Sequence, residues 1–172
     1  MDKKLVDEIN KQITYEFYSE FLYLSMASYA SEHDLPGFEK WYLTQAAEED
    51  FHATKFVNYL HARDEKAIIT GFENPPVDFE SLLDTFQQSL KHEKFVTERI
   101  NLLMSIAHDV KDYAAISFLN WYVDEQVEEE ESFNNMIGQI KLVGNGGQGL
   151  YHLDKQAGTR IFTPPAANGA AQ

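Results

Sequence analysis

Cysteine is absent from the 172 residues, which excludes disulfides, thiolate metal sites, iron–sulfur clusters and cysteine nucleophiles. Positive charge is scarce: 14 Lys and Arg stand against 28 Asp and Glu, for a net charge of −14. Such a surface repels nucleic acid and anionic membranes and attracts cations. Long apolar runs are missing too, and none approaches the roughly 18 residues of a membrane-spanning helix. Met1-Asp2-Lys3-Lys4 leads straight into an amphipathic pattern, without the apolar core of a signal peptide. The expectation is a cytoplasmic protein with no nucleic-acid and no membrane partner.

What is present can build a core. Apolar residues make up 44% of the chain, with 12 Phe and 9 Tyr, which fits one packed domain and argues against disorder. No segment of useful length alternates with the period of a strand. Leu5, Ile9, Ile13, Glu16, Glu20, Leu24 and Ala27 recur at helical spacing from Lys3 to about Glu32. His33-Asp34-Leu35-Pro36-Gly37 breaks that helix. A second helix, Phe38 to about Arg63, carries Trp41, Ala46, Glu49, Ala53, Phe56 and Leu60 inward. From Asp64 to Asp78 periodicity stops around Gly71 and Pro75-Pro76, a connection long enough to cross a bundle from end to end.

A third helix, about Phe79 to His108, follows with Leu82, Phe86, Leu90, Glu93, Val96, Ile100, Leu103 and Ala107. Asp112 is a good N-cap for a fourth, Tyr113 to about Val143, striped by Phe118, Tyr122, Gln126, Glu129, Phe133, Met136 and Ile140. The glycines from Gly144 to Gly149 end it, and Leu150 to about Gly158 fits one short fifth helix. The expected fold is all-α: a four-helix bundle with a long crossover between helices 2 and 3 and a short fifth helix. Residues 1–159 form one domain, and residues 160–172, rich in Pro and Ala from Thr163, form a disordered tail.

Glu49 and His52, three residues apart, share one helix face about a turn apart, where both can ligate one metal. Alone, Glu-x-x-His is weak, because a solvated acidic helix produces it by chance. The other helices change the odds. Glu16, Glu49, Glu93 and Glu129, with Gln126, each lie on an apolar stripe near mid-helix, so an even bundle brings them to one layer. A buried carboxylate costs several kcal/mol unless paired or bound to a cation, and these stripes carry no Lys or Arg near that layer. Four carboxylates match two divalent ions. Carboxylates with one imidazole and no thiolate suit Fe²⁺ or Mn²⁺, with Zn²⁺ a competitor.

The expected arrangement puts Glu16 and His52 on one metal, Glu93 on the second and Glu49 between them. Glu129 joins the second metal, directly or through water, and Gln126 is a hydrogen-bonding neighbour. Tyr23 lies two turns from Glu16 on the same face; an approach of its hydroxyl to the site and ordinary core packing both account for it. Glu48, Glu125 and Glu128 flank these positions and could form a third, looser cation site, although Glu128 to Glu131 equally resembles a solvated face. His33, His61, His92, His108 and His152 have no ligand-spaced partner on a core stripe, and surface or capping roles are expected for them.

In order along the chain, Glu16-Phe17-Tyr18 with Tyr23, Glu48-Glu49-x-x-His52, Glu93, Trp121 to Glu130 and Gly149 to Lys155 make the sequence resemble a ferritin of the bacterial non-haem type. The resemblance implies a ferritin-like bundle and a ferroxidase that oxidises Fe²⁺ with O₂ or H₂O₂ at a dinuclear centre within one subunit. It implies storage of ferric mineral in a homo-oligomeric shell of 24 subunits. It also carries over Glu16, Glu49, His52, Glu93 and Glu129 as the dinuclear ligands, with Gln126 beside the second iron. Glu48, Glu125, Glu128 and Glu129 carry over as a third iron site, and Tyr23 as the tyrosine near the centre.

Bacterioferritins differ by repeating Glu-x-x-His on the fourth helix, where this chain has Gln126-x-x-Glu129, and by a haem-binding Met where this chain has Asp50. Haem is therefore not expected. A standalone di-iron oxidase or peroxidase, and a helical scaffold whose acidic positions are merely solvated, are the competing expectations. Assembly size separates the first of these from a storage shell.

Overall fold

A computed structural model describes residues 1–144 and 147–165. The described residues form five helices and no strand: α1 (Lys3–Glu32), α2 (Pro36–Ala62), α3 (Leu82–Asp109), α4 (Tyr113–Val143) and α5 (Gly147–Ala157). The architecture is the expected all-α bundle with a short fifth helix. Local chemistry fixes most of the boundaries. Asp2 caps α1 by accepting from the amides of Lys4 and Leu5, Ser81 caps α3 through the amide of Asp84, and Asp112 caps α4 through that of Ala115. The third helix accordingly begins after Ser81 rather than at Phe79. Past the ends of α1, α2 and α3, Asp34, Asp64 and Lys111 adopt φ of 56°, 55° and 57°, the left-handed turn that satisfies final helix carbonyls.

Two tight turns make antiparallel pairs of α1 with α2 and of α3 with α4. The crossover between the pairs is longer than its glycine and prolines suggest, spanning residues 63–81. It is fastened to α1 step by step. The amide of Asn10 donates to the Lys66 carbonyl (3.3 Å) and its oxygen accepts from the Ile68 amide (2.6 Å). Further along, the Thr14 and Thr70 hydroxyls meet at 2.9 Å, Phe72 packs edge-on against Tyr18 and Phe21, and Ser25 donates to the Pro76 carbonyl. These contacts advance along α1 from its first turns toward its end, so α3 starts beside the start of α2 and runs parallel to it.

The stripe expected on α1 needs one correction. Glu20 is half-buried and Leu24 is 39% exposed, whereas Leu22, Tyr23 and Met26 are buried. Each residue advances about 100° around a helix, so two successive four-residue steps after Glu16 drift off the inner face. Alternating steps of three and four, through Ser19, Tyr23, Met26 and Ala30, stay on it. On the other helices, Leu90 and Phe118 are half-buried and the remaining stripe positions are buried.

The apolar core is divided in two. One cluster gathers Tyr23, Met26, Phe38, Trp41, Tyr42, Phe86 and Phe133 with the inner face of α5. The other gathers Leu5, Ile9, Ile13, Phe56, Leu60, Val96, Ile100, Leu119 and Tyr122. Between them all four long helices contribute buried polar residues, which form the layer described below.

Candidate metal centre

On α1 the buried succession is Ile13, Glu16, Ser19, Leu22; on α3 it is Phe86, Ser89, Glu93, Val96. On α2, Gln45, Glu49 and His52 separate Tyr42 from Phe56, and on α4, Gln126 and Glu129 separate Tyr122 from Phe133. Each helix thus interrupts its own apolar stripe at the height where its neighbours do. Glu16, Glu49, Glu93 and Glu129 are 1%, 2%, 1% and 4% exposed, and His52 is 2% exposed.

Ligand atoms converge in two triads, Glu16–Glu49–His52 and His52–Glu125–Glu129, within each of which the nearest donor atoms lie within 4.8 Å of one another. His52 Nδ1 is 3.5 Å from Glu49 Oε2, and Nε2 is 4.0 Å from Glu125 Oε1. The imidazole packs edge-on against the Trp121 and Tyr122 rings, and the Tyr122 hydroxyl donates to the His52 carbonyl at 2.8 Å. Glu93 lies outside both triads. Its Oε1 accepts from the Tyr23 hydroxyl and its Oε2 from Gln126 Nε2 at 3.1 Å. Tyr23 does both things its position allows: its ring stacks on Tyr42 and Phe133, and its hydroxyl meets a carboxylate of the layer.

The flanking acids part ways. Glu125 joins a triad, Glu128 is exposed and joins neither, and Glu48 is ion-paired with Arg160. Arg160 is where the expected free tail begins, yet its guanidinium also donates to Gln45 Oε1 and lies 4.4 Å over the Trp41 ring, while Phe162 packs on Phe51. Residues 166–172 of that tail, like Asn145 and Gly146, lie outside the described residues. His92, assigned above to a surface or capping role, meets the Ser19 hydroxyl at 2.7 Å, and burial pushes its pKa down to about 4.

Sequence reasoning also passed over two glutamines. Gln12 Nε2 donates to Glu16 Oε1 at 2.9 Å, and Gln45 Nε2 donates to Glu129 Oε1 at 2.8 Å and to Glu49 Oε1 at 3.2 Å. Their signal was legible: each is an amide four residues before a candidate ligand, hence on the same face one turn earlier.

Electrostatics mark the layer as short of positive charge. Burial raises the pKa of Glu49 well above the carboxylate range, and Glu16 and Glu129 add to the rise. Burial, with the charge of Glu49, pushes Glu93 up to about 8 against the hydrogen bonds from Tyr23 and Gln126. Burial and Glu93 do the same to Glu129, again to about 8. Glu16 is raised by burial and eased by His52 and Gln12. Without a cation this site holds protons that its acids would release in water.

Three buried ligand atoms, Glu16 Oε2, His52 Nε2 and Glu129 Oε2, have no hydrogen-bond partner among the described residues. Buried polar atoms are seldom left so, and all three have the lone pairs to bind a Lewis acid. Oxygen donors with one imidazole and no sulfur fit iron, manganese or zinc.

Comparison with known proteins identifies the family. The Ferritin-like domain family matches residues 6–143. The bacterial non-heme ferritin of Staphylococcus saprophyticus is 40% identical over 162 residues, 94% of this chain and 97% of that protein. That of Staphylococcus aureus is 40% identical over the same share of this chain and 98% of its own. A closed form of the Archaeoglobus fulgidus ferritin, engineered by site-directed mutagenesis, superposes with a TM-score of 0.92 at 40% identity, over 95% of this chain and 99% of that one. A humanized archaeal ferritin superposes at 0.93 with the same identity and coverage. With the family pattern, near-full-length relatives and the superposed fold all in agreement, this chain belongs to the ferritin family.

Proposed function

We infer that this protein oxidises Fe²⁺ and stores the iron it has oxidised. In this reading one ferritin-like domain, residues 1–159, binds two ferrous ions as substrates within a single subunit. Each ion gives up one electron, and the pair reduces O₂ to H₂O₂, or H₂O₂ to water. The required protons come from solvent and from the carboxyl groups of the layer. The ferric product collects as mineral in a cytoplasmic homo-oligomeric shell of 24 subunits. No haem takes part.

The observation that carries the reading is the acidic layer that splits the core, with its three unpartnered ligand atoms. Four buried carboxylates without a matching cation destabilise a bundle, so their presence is best accounted for by what they bind. Glu16 and His52 serve one ion, Glu93 and Glu129 the other, and Glu49 lies between. Glu49 suits that position because its charge is felt by Glu93 and it in turn feels Glu16 and Glu129. Glu93 can accept a cation while keeping its bonds from Tyr23 and Gln126, since each carboxylate oxygen has a second lone pair. Gln12, Gln45 and Gln126 orient the ligands, and the apolar clusters above and below exclude bulk water.

The test is aerobic addition of Fe²⁺ to metal-free protein, followed by size-exclusion chromatography with absorbance and iron analysis. Fast oxidation of about two ions per chain, then much larger loads co-eluting with a very large shell, is the expected result. Iron that stops at two or three ions per chain on a small oligomer would identify a standalone di-iron oxidase instead. Unchanged oxidation in Glu49→Ala would leave only the scaffold reading.

A further inference from the structure

Arg160 stands out in a chain so short of positive charge. It lies beyond the last helix, outside the bundle stripes, yet its guanidinium reaches the edge of the metal layer. The path is built rather than incidental. Successive turns after α5 bring the amides of Gly158, Thr159 and Arg160 onto the carbonyls of Asp154, Gln156 and Ala157. Gly158 lies so close to α2 that a side chain there would press on the Gly37 backbone, with 3.1 Å from its Cβ to the Gly37 Cα. Phe162 then packs on Phe51, 5.7 Å between ring centroids. Arg160 sits between these anchors, stacked on Trp41, with one nitrogen on Gln45 and another on Glu48.

Two consequences follow from what a guanidinium can do. It has donors and no acceptor, so Gln45 must present its oxygen to Arg160 and its NH₂ to Glu129 and Glu49. Arg160 therefore fixes the direction in which a fully buried amide serves two carboxylates of the layer. It also neutralises Glu48, and its field extends to Glu125 and Glu129. Beside those acids lie two buried, unpartnered ligand atoms, Glu129 Oε2 and His52 Nε2, on residues of the His52–Glu125–Glu129 triad.

We propose that Arg160 is a tethered counter-ion, supplied by the chain itself, at the acidic corner of Glu48, Glu125 and Glu129, and that a third metal ion binds at this corner only by displacing it. The dinuclear centre then works with a built-in cation beside it, and the C-terminal segment sets how easily a third ion enters. This inference rests on the dinuclear reading given above for the neighbouring site, but its residue is separate from that ligand set.

Isothermal titration calorimetry of the metal-free, assembled protein with Zn²⁺, which binds the same donors without redox chemistry, tests it. Arg160→Ala is expected still to take up two ions per chain, any change in their affinity acting through Gln45, and to bind a third about ten-fold more tightly than wild type, the effect of removing one nearby positive charge. Arg160→Lys, which keeps the charge, should stay near wild type. Adding Glu48→Gln to Arg160→Ala should cancel the gain, since the acid that Arg160 neutralises is then gone. A third-ion affinity that is the same in wild type and Arg160→Ala, a third ion bound by neither, or a gain that survives Glu48→Gln would overturn the proposal. Glu49→Ala titrated alongside keeps the two readings apart. If it leaves the first two ions unchanged, the dinuclear assignment fails, whereas the Arg160 comparison reads only the third.

Discussion

At the scale of single residues, the layer pits desolvation against ligand chemistry. Glu49 has the most to lose from the absence of a cation, because it is buried between Glu16 and Glu129. Its isosteric amide keeps the volume and the bond from Gln45 but carries no charge. Glu49→Gln is therefore expected to raise the melting temperature of metal-free protein and to slow initial Fe²⁺ oxidation by at least about 100-fold, beyond the ~10–100-fold typical of a lost outer partner. Calorimetric melting with stopped-flow absorbance reads both, and a lower melting temperature with an intact rate would refute the account. Tyr23 makes a milder case. Tyr23→Phe keeps the stack on Tyr42 and Phe133 but removes the donor to Glu93. Oxidation should slow by roughly 10-fold with the fold intact; an unchanged rate would reduce Tyr23 to core packing.

At the scale of elements, α2 is the one long helix whose own sequence supplies no side-chain cap, since Leu35 stands at its N-cap position. Asp154 of α5 fills that role from 117 residues away. Its Oδ1 accepts from the amides of Gly37 (2.8 Å) and Phe38 (3.0 Å), and it is 4% exposed. A carboxylate at a helix N-terminus satisfies orphan amides and meets the positive end of the dipole. Gly37 is required for this contact, because a Cβ there would fall 1.7 Å from the Asp154 carbonyl oxygen. Asp154→Ala should cost about 1–2 kcal/mol, and Gly37→Ala at least as much by forcing α5 away. Urea denaturation gives the magnitude. Hydrogen exchange at the first turn of α2 shows whether the loss is local, and unaltered exchange there would disprove the cap.

At the scale of the whole molecule, the raised carboxyl groups couple stability to pH. Glu93 and Glu129 titrate near 8 when folded, against an ordinary value of 4.5. The folded chain then binds more protons than the unfolded one between those values, so stability falls as pH rises through that window. His92 acts oppositely, but only between about 4 and its ordinary 6.5. Glu8 and Asp112, held low by their basic partners, lose their contribution only in acid. Metal-free protein is therefore expected to melt at progressively lower temperature from pH 6.5 to 8. Saturating Zn²⁺ should flatten that slope and release protons on binding, because the ions replace the protons the layer held. A metal-free melting temperature that rises over this interval would contradict the assignment of buried, mutually repelling carboxyls.

The sequence by itself determined the helices, their order, the crossover and the heights at which acidic residues interrupt the apolar stripes. Those features depend on residue spacing, caps and turn residues, which act over one or two turns of chain. The same spacing left open how each helix is rotated about its axis and how deeply it meets its neighbours, and a drift of one residue was enough to misplace Leu24. The tertiary structure alone decided that Glu93 bonds to Tyr23 and Gln126, that Gln45 serves two carboxylates, and that Glu128 faces away while Glu125 turns in. It also brought Asp154 to the start of α2 and Arg160 to Glu48. Apart from the Gln45–Glu49 bond, these contacts join residues far apart in sequence, and their meeting is set by how side-chain ridges pack between helices rather than by any local pattern.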